Sequence, residues 1–447
     1  MSATPHSLIH PSRIPNRWVQ LIAGIVAMMA IANLQYAWTL FTKPIQAHLH
    51  ASLAAVQWTF ALFIALETWL VPFEGYLVDR IGPRFMLGIG SVLVTLGWVG
   101  SGRAESIHSL YFWYALGGIG AGIVYGGTIG NALKWFPDHR GLCVGLTAGA
   151  YGIGTATTIA PIAAMMKTSG YQHTFIVWGI IQGVVVLACA LFLARMPDGW
   201  TPPNWTEKAA KIKARGVNTS GIDMTPWEMF RQPSFYLIYV MMTMLAFGGL
   251  VVTAQLNPMA VSYHVDNVVV AFGMTAIVLA ITVDRLMNGL TRPFWGWVSD
   301  RIGRENAIFI AFMLEAVAVY ALLQLISYPI WFVVLSGLCF FAWGNIFSLF
   351  PSLTADLYGS KWATTNYGFV YTAKGVAALF AAPGAAWIFA KTGSWTKVFW
   401  AMIVCDVVGA FMALLWLKPV AARAVKASEL KQPVVGLAKA EAARPAV

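Results

Sequence analysis

The sequence predicts an all-α polytopic membrane protein: twelve transmembrane helices in two six-helix halves. Three observations carry that expectation. Of 447 residues, 58% are hydrophobic and only 11% charged, with a mean hydropathy of +0.67, values that exclude an ordinary soluble protein. Apolar runs near the roughly 20 residues needed to cross a bilayer recur twelve times. A short polar loop pattern also occurs twice, six spans apart.

Taken in order, the spans are 19–41, 56–78, 85–102, 109–135, 141–166, 171–194, 235–263, 268–297, 306–326, 329–357, 363–392 and 395–417. Several exceed the minimum, which implies tilt. The first follows a short basic segment with no small-residue cleavage site, and it is too long for a signal-peptide core, so it reads as a retained helix. Spans four and five are glycine-rich, with Gly141, Gly145 and Gly149 recurring every four residues. That spacing lets helices pack backbone to backbone, either as static packing or as a sliding gate. Pro44, Pro72, Pro161, Pro258, Pro293, Pro351 and Pro383 lie in or beside spans and introduce kinks. The organisation expected is an N-terminal segment 1–18, a first half 19–194, a linker 195–234 with a short surface helix, a second half 235–417 and a basic tail 418–447.

Orientation follows from the basic residues. With the N-terminus inside, inner segments hold 21 Lys and Arg and outer loops five. Both termini are then cytoplasmic, and the net charge of +11 is a topology signal with no nucleic-acid partner implied. Cys143, Cys189, Cys339 and Cys405 all fall in apolar spans without metal-type spacing, which points to neither a disulfide nor a zinc site. No cofactor or metal is expected.

The repeated loop is Gly75-Tyr-Leu-Val-Asp79-Arg80-Ile-Gly-Pro-Arg84 after span two and Gly296-Trp-Val-Ser-Asp300-Arg301-Ile-Gly-Arg304 after span eight. Two six-helix halves around a central site are a recurrent transporter plan, and this loop resembles the signature loop of the major facilitator superfamily in both copies. Its glycine permits close helix approach. Its Asp can pair with Arg side chains or with a helix N-terminus, latching the cytoplasmic side. The alternative is a plain basic inner loop with a turn glycine.

Two cations stand out inside apolar spans: Arg292 in span eight and Lys374 in span eleven. A cation at bilayer depth costs roughly 3 kcal/mol on insertion scales. Held with few acids nearby, the two point to a small anion, a carboxylate being the simplest. Tyr367, Tyr371 and Lys374 fall on one helical stripe. The competing readings are a structural salt bridge from Lys374 to Asp406, Glu315 or Asp284, and snorkelling of Arg292 toward the cytoplasm. Asp284 and Arg285 read as a structural pair. Gln35, Tyr36, Gln57, Trp58, Tyr125, Tyr151, Trp343, Asn345 and Phe347 supply aromatic walls and amide or phenol donors, provided that the fold brings them together.

The stretches Gln35-Tyr-Ala-Trp38, Ser52-Leu-Ala-Ala-Val-Gln57, Gly122-Ile-Val-Tyr125-Gly126, Arg292-Pro-Phe-Trp-Gly296, Leu349-Phe-Pro-Ser352 and Asn366-Tyr-Gly-Phe369 with Ala373-Lys374 resemble the bacterial oxalate:formate antiporter family across all twelve spans. The resemblance implies exchange of oxalate for formate across an inner membrane by a monomer in contact with lipid. It implies that Arg292 and Lys374 hold the carboxylates, with Gln35, Tyr36, Gln57, Tyr125, Tyr151 and Trp343 completing the pocket. Where that family has a Tyr in span ten this chain has Phe347, and Asp284-Arg285 adds charge to span eight, so other small carboxylates also fit the pattern.

Electrostatics favour exchange. Closing an empty cavity forces two cations together in a dry space, whereas a bound dianion cancels both. Oxalate exchanged for formate then moves one net negative charge per cycle. The rival readings are a proton-coupled monocarboxylate transporter, for which Glu67, Asp284, Glu315 and Asp406 are the protonatable candidates, a drug exporter, and a non-transporting carboxylate sensor. An intramembrane enzyme is not expected, because no Ser/His, paired-Asp or H-E-x-x-H constellation falls in the spans.

Overall fold

The computed structural model describes residues 15–51, 53–214 and 222–431. The first half comprises α1 (Arg17–Tyr36), α2 (Trp38–Leu49), α3 (Leu53–Trp69), α4 (Val71–Ile81), α5 (Pro83–Ser101), α6 (Ile107–Trp135) and α7 (Arg140–Phe192). The linker holds α8 (Trp205–Ala214) and α9 (Pro226–Phe230). The second half comprises α10 (Pro233–Ser262), the strands β1 (Val269–Ala271) and β2 (Met274–Thr275), and α11 (Ala276–Ile302), α12 (Arg304–Leu325), α13 (Pro329–Trp343), α14 (Ile346–Tyr358), α15 (Ala363–Thr392) and α16 (Thr396–Met412). A π-helical turn, Ala413–Leu417, joins α16 to α17 (Lys418–Lys431).

Among the described residues nine helices are long and apolar enough to cross a membrane, and α3 with α4, bent by 45°, makes a tenth. Helices α11 and α15 are not among these; they are the two that carry Arg292 and Lys374. Exposed apolar side chains such as Phe112, Val184, Val317, Val334 and Phe380 cover the outer surface, as lipid contact requires.

Local chemistry explains where elements start and stop. Asn16 caps α1 by accepting from the Trp18 amide at 2.9 Å, and Thr225 with Glu228 forms a capping box on α9. Gly82 and Gly303, the glycines of the two Asp-Arg-Ile-Gly loops, have φ of +109° and +89°. Only glycine adopts these angles without strain, so each loop turns sharply from one helix into the next.

Several spans differ in detail from the expectation. Span one breaks at Ala37, so that α1 ends at Tyr36 and α2 runs on to Leu49. Span eight begins at Ala276, because the residues before it form a two-stranded hairpin pairing Val269 with Thr275 and Ala271 with Met274. Phe272 and Gly273 supply the positive φ that such a tight turn needs. Span ten is interrupted at Gly344 and Asn345. Spans five and six are two helices that follow one another within α7, divided by a kink at Gly170.

The halves meet along glycine seams. A Cβ at Gly141 or Gly145 would collide with the carbonyls of Gly296 or Arg292 on α11, and one at Gly149 would lie 2.6 Å from the Gly289 carbonyl. The matching seam sets Gly75 of α4 against Thr364 of α15, where a Cβ would lie 2.8 Å from the carbonyl. Both seams therefore lie between the halves, where a Cβ would hold the backbones apart.

At the same end, each loop Asp crosses to a helix N-terminus of the other half. Asp79 Oδ2 accepts from the Thr365 amide at 2.8 Å and its hydroxyl at 2.6 Å, in the first turn of α15, while Oδ1 meets Lys134 at 2.5 Å. Asp300 accepts from the Gly141 and Leu142 amides, both at 3.0 Å, in the first turn of α7. These positions satisfy orphan amides and favour negative charge. Arg304 pairs with Asp300 at 2.6 Å and with Asp356 at 2.8 Å, and Asp356 also binds Arg140 of the first half at 2.6 Å. Asp356, Arg140, Lys134 and Thr365 are latch members that the loop motif alone does not reveal. Arg80, Arg84 and Arg301 stay within their own halves: Arg80 on Tyr76, Arg84 on the Leu193 carbonyl and Arg301 over Trp297.

The linker is tied down as well. Asp138 binds Arg17 at 2.8 Å and Lys208 of α8 at 2.9 Å. Burial pushes its carboxyl up, but the hydrogen bonds from Lys208 and Arg17 outweigh this and hold it below the ordinary carboxylate range. This clamp is therefore present at neutral pH and lost only as pH falls through that depressed value. Asp223 accepts from the Ser360 and Lys361 amides at 2.8 and 2.9 Å.

Gly145→Leu is expected to destabilise this closed arrangement by roughly 1–3 kcal/mol, as overpacking does, read as a lower thermal unfolding temperature in detergent. Asp79→Asn removes the charge that binds the first turn of α15. Amide hydrogen exchange at residues 363–366 is expected to quicken about tenfold or more, equivalent to about 1.4 kcal/mol, while the α7 first turn, held by Asp300, changes less.

Candidate functional site

The cavity lies between the halves, and its volume is ≈ 40 Å³, room for about three water molecules at roughly 10–15 Å³ each. The first half contributes Gln35, Tyr36, Tyr125 and Tyr151; the second contributes Leu250, Thr253, Arg285, Arg292, Trp343, Phe347, Tyr371 and Lys374.

Arg292 is 2% exposed. It donates from Nη1 to the Ala148 carbonyl of α7 at 2.7 Å and from Nη2 to Asn288 Oδ1, one turn back on its own helix, at 2.6 Å. Its Nε is buried without a partner. These bonds hold the guanidinium at cavity level, so it does not snorkel toward Asp300. Lys374 is 7% exposed, and its Nζ donates to the Tyr371 hydroxyl at 2.9 Å. Neither cation forms an ion pair with a carboxylate among the described residues. The acids offered as structural partners lie elsewhere: Glu315 and Asp406 face each other beside Gly248, and Asp284 lies by Ser336.

Phe347 is what the two cations share. The Arg292 Cζ lies 4.4 Å and the Lys374 Nζ 5.5 Å from its ring centroid. Each cation–ring contact is worth about 0.5–2 kcal/mol and works against the mutual repulsion of the two charges. The ring cannot accept a proton or cancel a charge, so both cations remain free to receive an anion.

The aromatic box forms on the other side. Tyr125 stacks on Tyr371 at 5.1 Å and meets Tyr151 edge-on at 5.8 Å; Tyr36 meets Tyr151 at 5.2 Å. Tyr151 donates to Gln35 Oε1 at 2.9 Å, and the Tyr125 hydroxyl is buried without a partner, which leaves a donor aimed into the box. Trp343 is a wall and not a donor, because its indole N–H is bonded to the Leu245 carbonyl at 3.1 Å. Tyr367 packs behind Tyr371 at 5.6 Å and does not line the cavity.

Arg285 departs from the structural pairing with Asp284 that adjacency suggested. Successive helix positions point about 100° apart, and Arg285 turns to the cavity, its Cζ 5.0 Å from the Tyr36 ring and 5.7 Å from Phe340. Gln57 belongs to α3, and its side chain lies outside the described residues. Glu67, which the sequence suggests only under proton coupling, stands behind Tyr151 with Oε1 3.4 Å from the hydroxyl.

The sequence matches the family model described as Major Facilitator Superfamily over residues 21–290 and 279–446. It is 36% identical over 369 residues to the oxalate:formate antiporter of Oxalobacter formigenes, covering 82% of this chain and 83% of that protein. It is 20% identical over 474 residues to human monocarboxylate transporter 14, covering 89% and 90%. Among solved structures, the proton:xylose symporter XylE bound to 6-bromo-6-deoxy-D-glucose superposes with a TM-score of 0.66 at 15% identity, covering 90% of this chain and 96% of that one; this likeness concerns the fold alone.

Proposed function

The chain belongs to the major facilitator superfamily and, within it, to the family of the oxalate:formate antiporter, and from that membership we propose that it exchanges small carboxylates, oxalate against formate, across the membrane. The observation that carries the reading is the pair Arg292 and Lys374, buried at the cavity with no ion-pair partner among the described residues. The guanidinium offers a planar fork to one carboxylate and the ammonium a point charge to the other. Tyr125 and Tyr151 orient the anion from the first half, while Tyr36, Gln35 and Trp343 complete the pocket, to which the family resemblance adds Gln57.

Alternating access follows from where these groups sit. The anion bridges Arg292 and Lys374 of one half to phenols of the other, so binding favours closure around it, whereas the empty site closes against repulsion. The empty carrier then returns slowly, and transport is exchange more than net uptake. With both termini cytoplasmic, as the basic-residue bias indicates, the latched end is the cytoplasmic one and the closed seam belongs to an outward-directed state. The boundaries at 194, 234 and 417 mark the two halves, the linker and the tail in this scheme, and the working unit is the monomer.

Uptake of radiolabelled oxalate into proteoliposomes of the purified protein tests the reading. Uptake is expected in vesicles preloaded with oxalate or formate and not in vesicles holding buffer alone. Uptake driven by an acid-outside gradient without internal anion would instead mark proton-coupled monocarboxylate transport. Lys374→Ala and Arg292→Lys are each expected to slow exchange about 100-fold, corresponding to about 3 kcal/mol for one lost charge-assisted contact. Normal exchange by either variant, at wild-type amounts of folded protein, sinks the site assignment.

A further inference from the structure

Arg292 and Lys374 are not the whole charge of the cavity. Its lining holds three cations, Arg285 being the third, and no acid among the described residues. The first two are held by neutral acceptors, whereas Arg285 makes neither a hydrogen bond nor an ion pair among the described residues. Its guanidinium has five N–H donors and rests on ring faces, with Cζ 5.0 Å from the Tyr36 centroid and 5.7 Å from that of Phe340. A ring attracts the charge but gives those donors no oxygen to bind. Asp284 senses the charge of Arg285 without pairing with it, its carboxyl lying by Ser336.

The level of Arg285 follows from chain geometry. It precedes Arg292 by seven residues, two turns of α11, and so projects from nearly the same face about 10 Å nearer the start of that helix. Asp300 and its latch lie at the other end. The rings repeat the displacement. Phe340 meets Trp343 at 5.7 Å and Trp343 meets Phe347 at 5.4 Å, so three rings run in a row from Arg285 to the Arg292–Lys374 pair. Tyr36, the last residue of α1, brings the first half to the same level. Arg285 therefore stands at the rim of the cavity away from the latch, and the pair stands at its floor. With the latched end closed, an anion reaches the floor past Arg285. A cation in a concave, low-dielectric wall focuses its field and raises the local concentration of anions. A carboxylate that arrives there fills the fork left empty by the rings, and the two cations beyond draw it inward.

We propose that Arg285 is a further substrate-binding residue, which captures the carboxylate entering from the face opposite the latch and passes it to Arg292 and Lys374. The inference rests on the carboxylate-exchange reading and adds a first station to its path. Capture belongs to one face only. When the halves open at the latched end instead, an anion reaches the floor from that side without crossing the rim. Arg285 thus sets the apparent affinity for carboxylate on one face of the membrane and leaves that on the other face to Arg292 and Lys374. The number of anions carried per cycle is unchanged, because the rim holds the anion only on its way in or out.

The test compares right-side-out and everted membrane vesicles that contain the full chain and are loaded with formate. Uptake of radiolabelled oxalate is followed over a range of outside concentrations. With Arg285→Gln the KM is expected to rise about tenfold in right-side-out vesicles, the order of steering by a focused charge. In everted vesicles it is expected to change about twofold or less, because water in the opened cavity screens the rim. Vmax is expected to stay in both. Arg285→Met, which keeps an apolar stem against Tyr36 and Phe340, is expected to behave alike and replaces the first variant if that one does not accumulate. An unchanged KM in right-side-out vesicles, a rise in both kinds or in everted ones alone, or a loss of Vmax with KM kept overturns the capture role. Wild-type vesicles separate the premise: no oxalate uptake in either kind overturns the carboxylate-exchange reading and the proposal with it, whereas wild-type exchange beside any of those variant results overturns Arg285 alone.

Discussion

Two buried cations without a carboxylate between them are the constraint on which the rest of this molecule depends. Removing a charge from water is costly unless something replaces the hydration. Here the replacement is assembled from neutral groups: the Ala148 carbonyl and Asn288 for Arg292, the Tyr371 hydroxyl for Lys374, and the face of Phe347 for both. A carboxylate in that place would have satisfied the cations permanently and closed the site to any anion. The neutral partners keep them at depth and still available.

That solution also joins the cavity to the latch. Helix α11 carries Arg292 and, two turns on, Asp300, which caps α7; α7 carries the Ala148 carbonyl that holds Arg292 and the Tyr151 that faces the cavity. Helix α15 carries Lys374 and, near its start, Thr365, which is bound by Asp79. The glycine seam runs through the same atoms, since a Cβ at Gly145 would strike the backbone carbonyl of Arg292 itself. Each cation thus rides on a helix whose end is tied to the opposite half. An anion bound as proposed would be linked through these helices to the bonds of the latch, which is the kind of two-state element that alternating access needs.

Much of this was legible from residue types and spacing. The repeated Gly-x-x-x-Asp-Arg loop announces two halves, and the role expected of its Asp, a bond to a helix N-terminus, is what Asp79 and Asp300 do. A cation inside an apolar run is conspicuous because its cost there is high, which is why Arg292 and Lys374 stand out in one dimension. Other features left no such mark. Asp356 looks like an ordinary acid at the end of a span until Arg140 and Arg304 converge on it. That the Trp343 N–H is taken up by the Leu245 carbonyl, leaving the ring as a wall, is equally invisible in one dimension. Arg285 beside Asp284 suggests neutralisation, yet the helix turns the two apart and leaves Arg285 over Tyr36. The hairpin before α11 was hidden because Val268-Val-Val-Ala-Phe continues the apolar run that follows, and hydropathy does not distinguish a short strand from a helix.

By itself the sequence determined the class of molecule, the two-half plan and the identity of the two central cations, because hydrophobic length, loop charge and the cost of buried charge are properties of the chain that need no partner. The tertiary structure alone decided which carbonyl, amide or ring each charge meets, that both cations approach Phe347, that Glu67 shares the Tyr151 hydroxyl with Gln35, and which glycines face which backbone. Those contacts join different helices, Glu67 to Tyr151 across 84 positions and Gln35 to Tyr151 across 116, and nothing local to either partner specifies the other; they exist only once the helices are packed together.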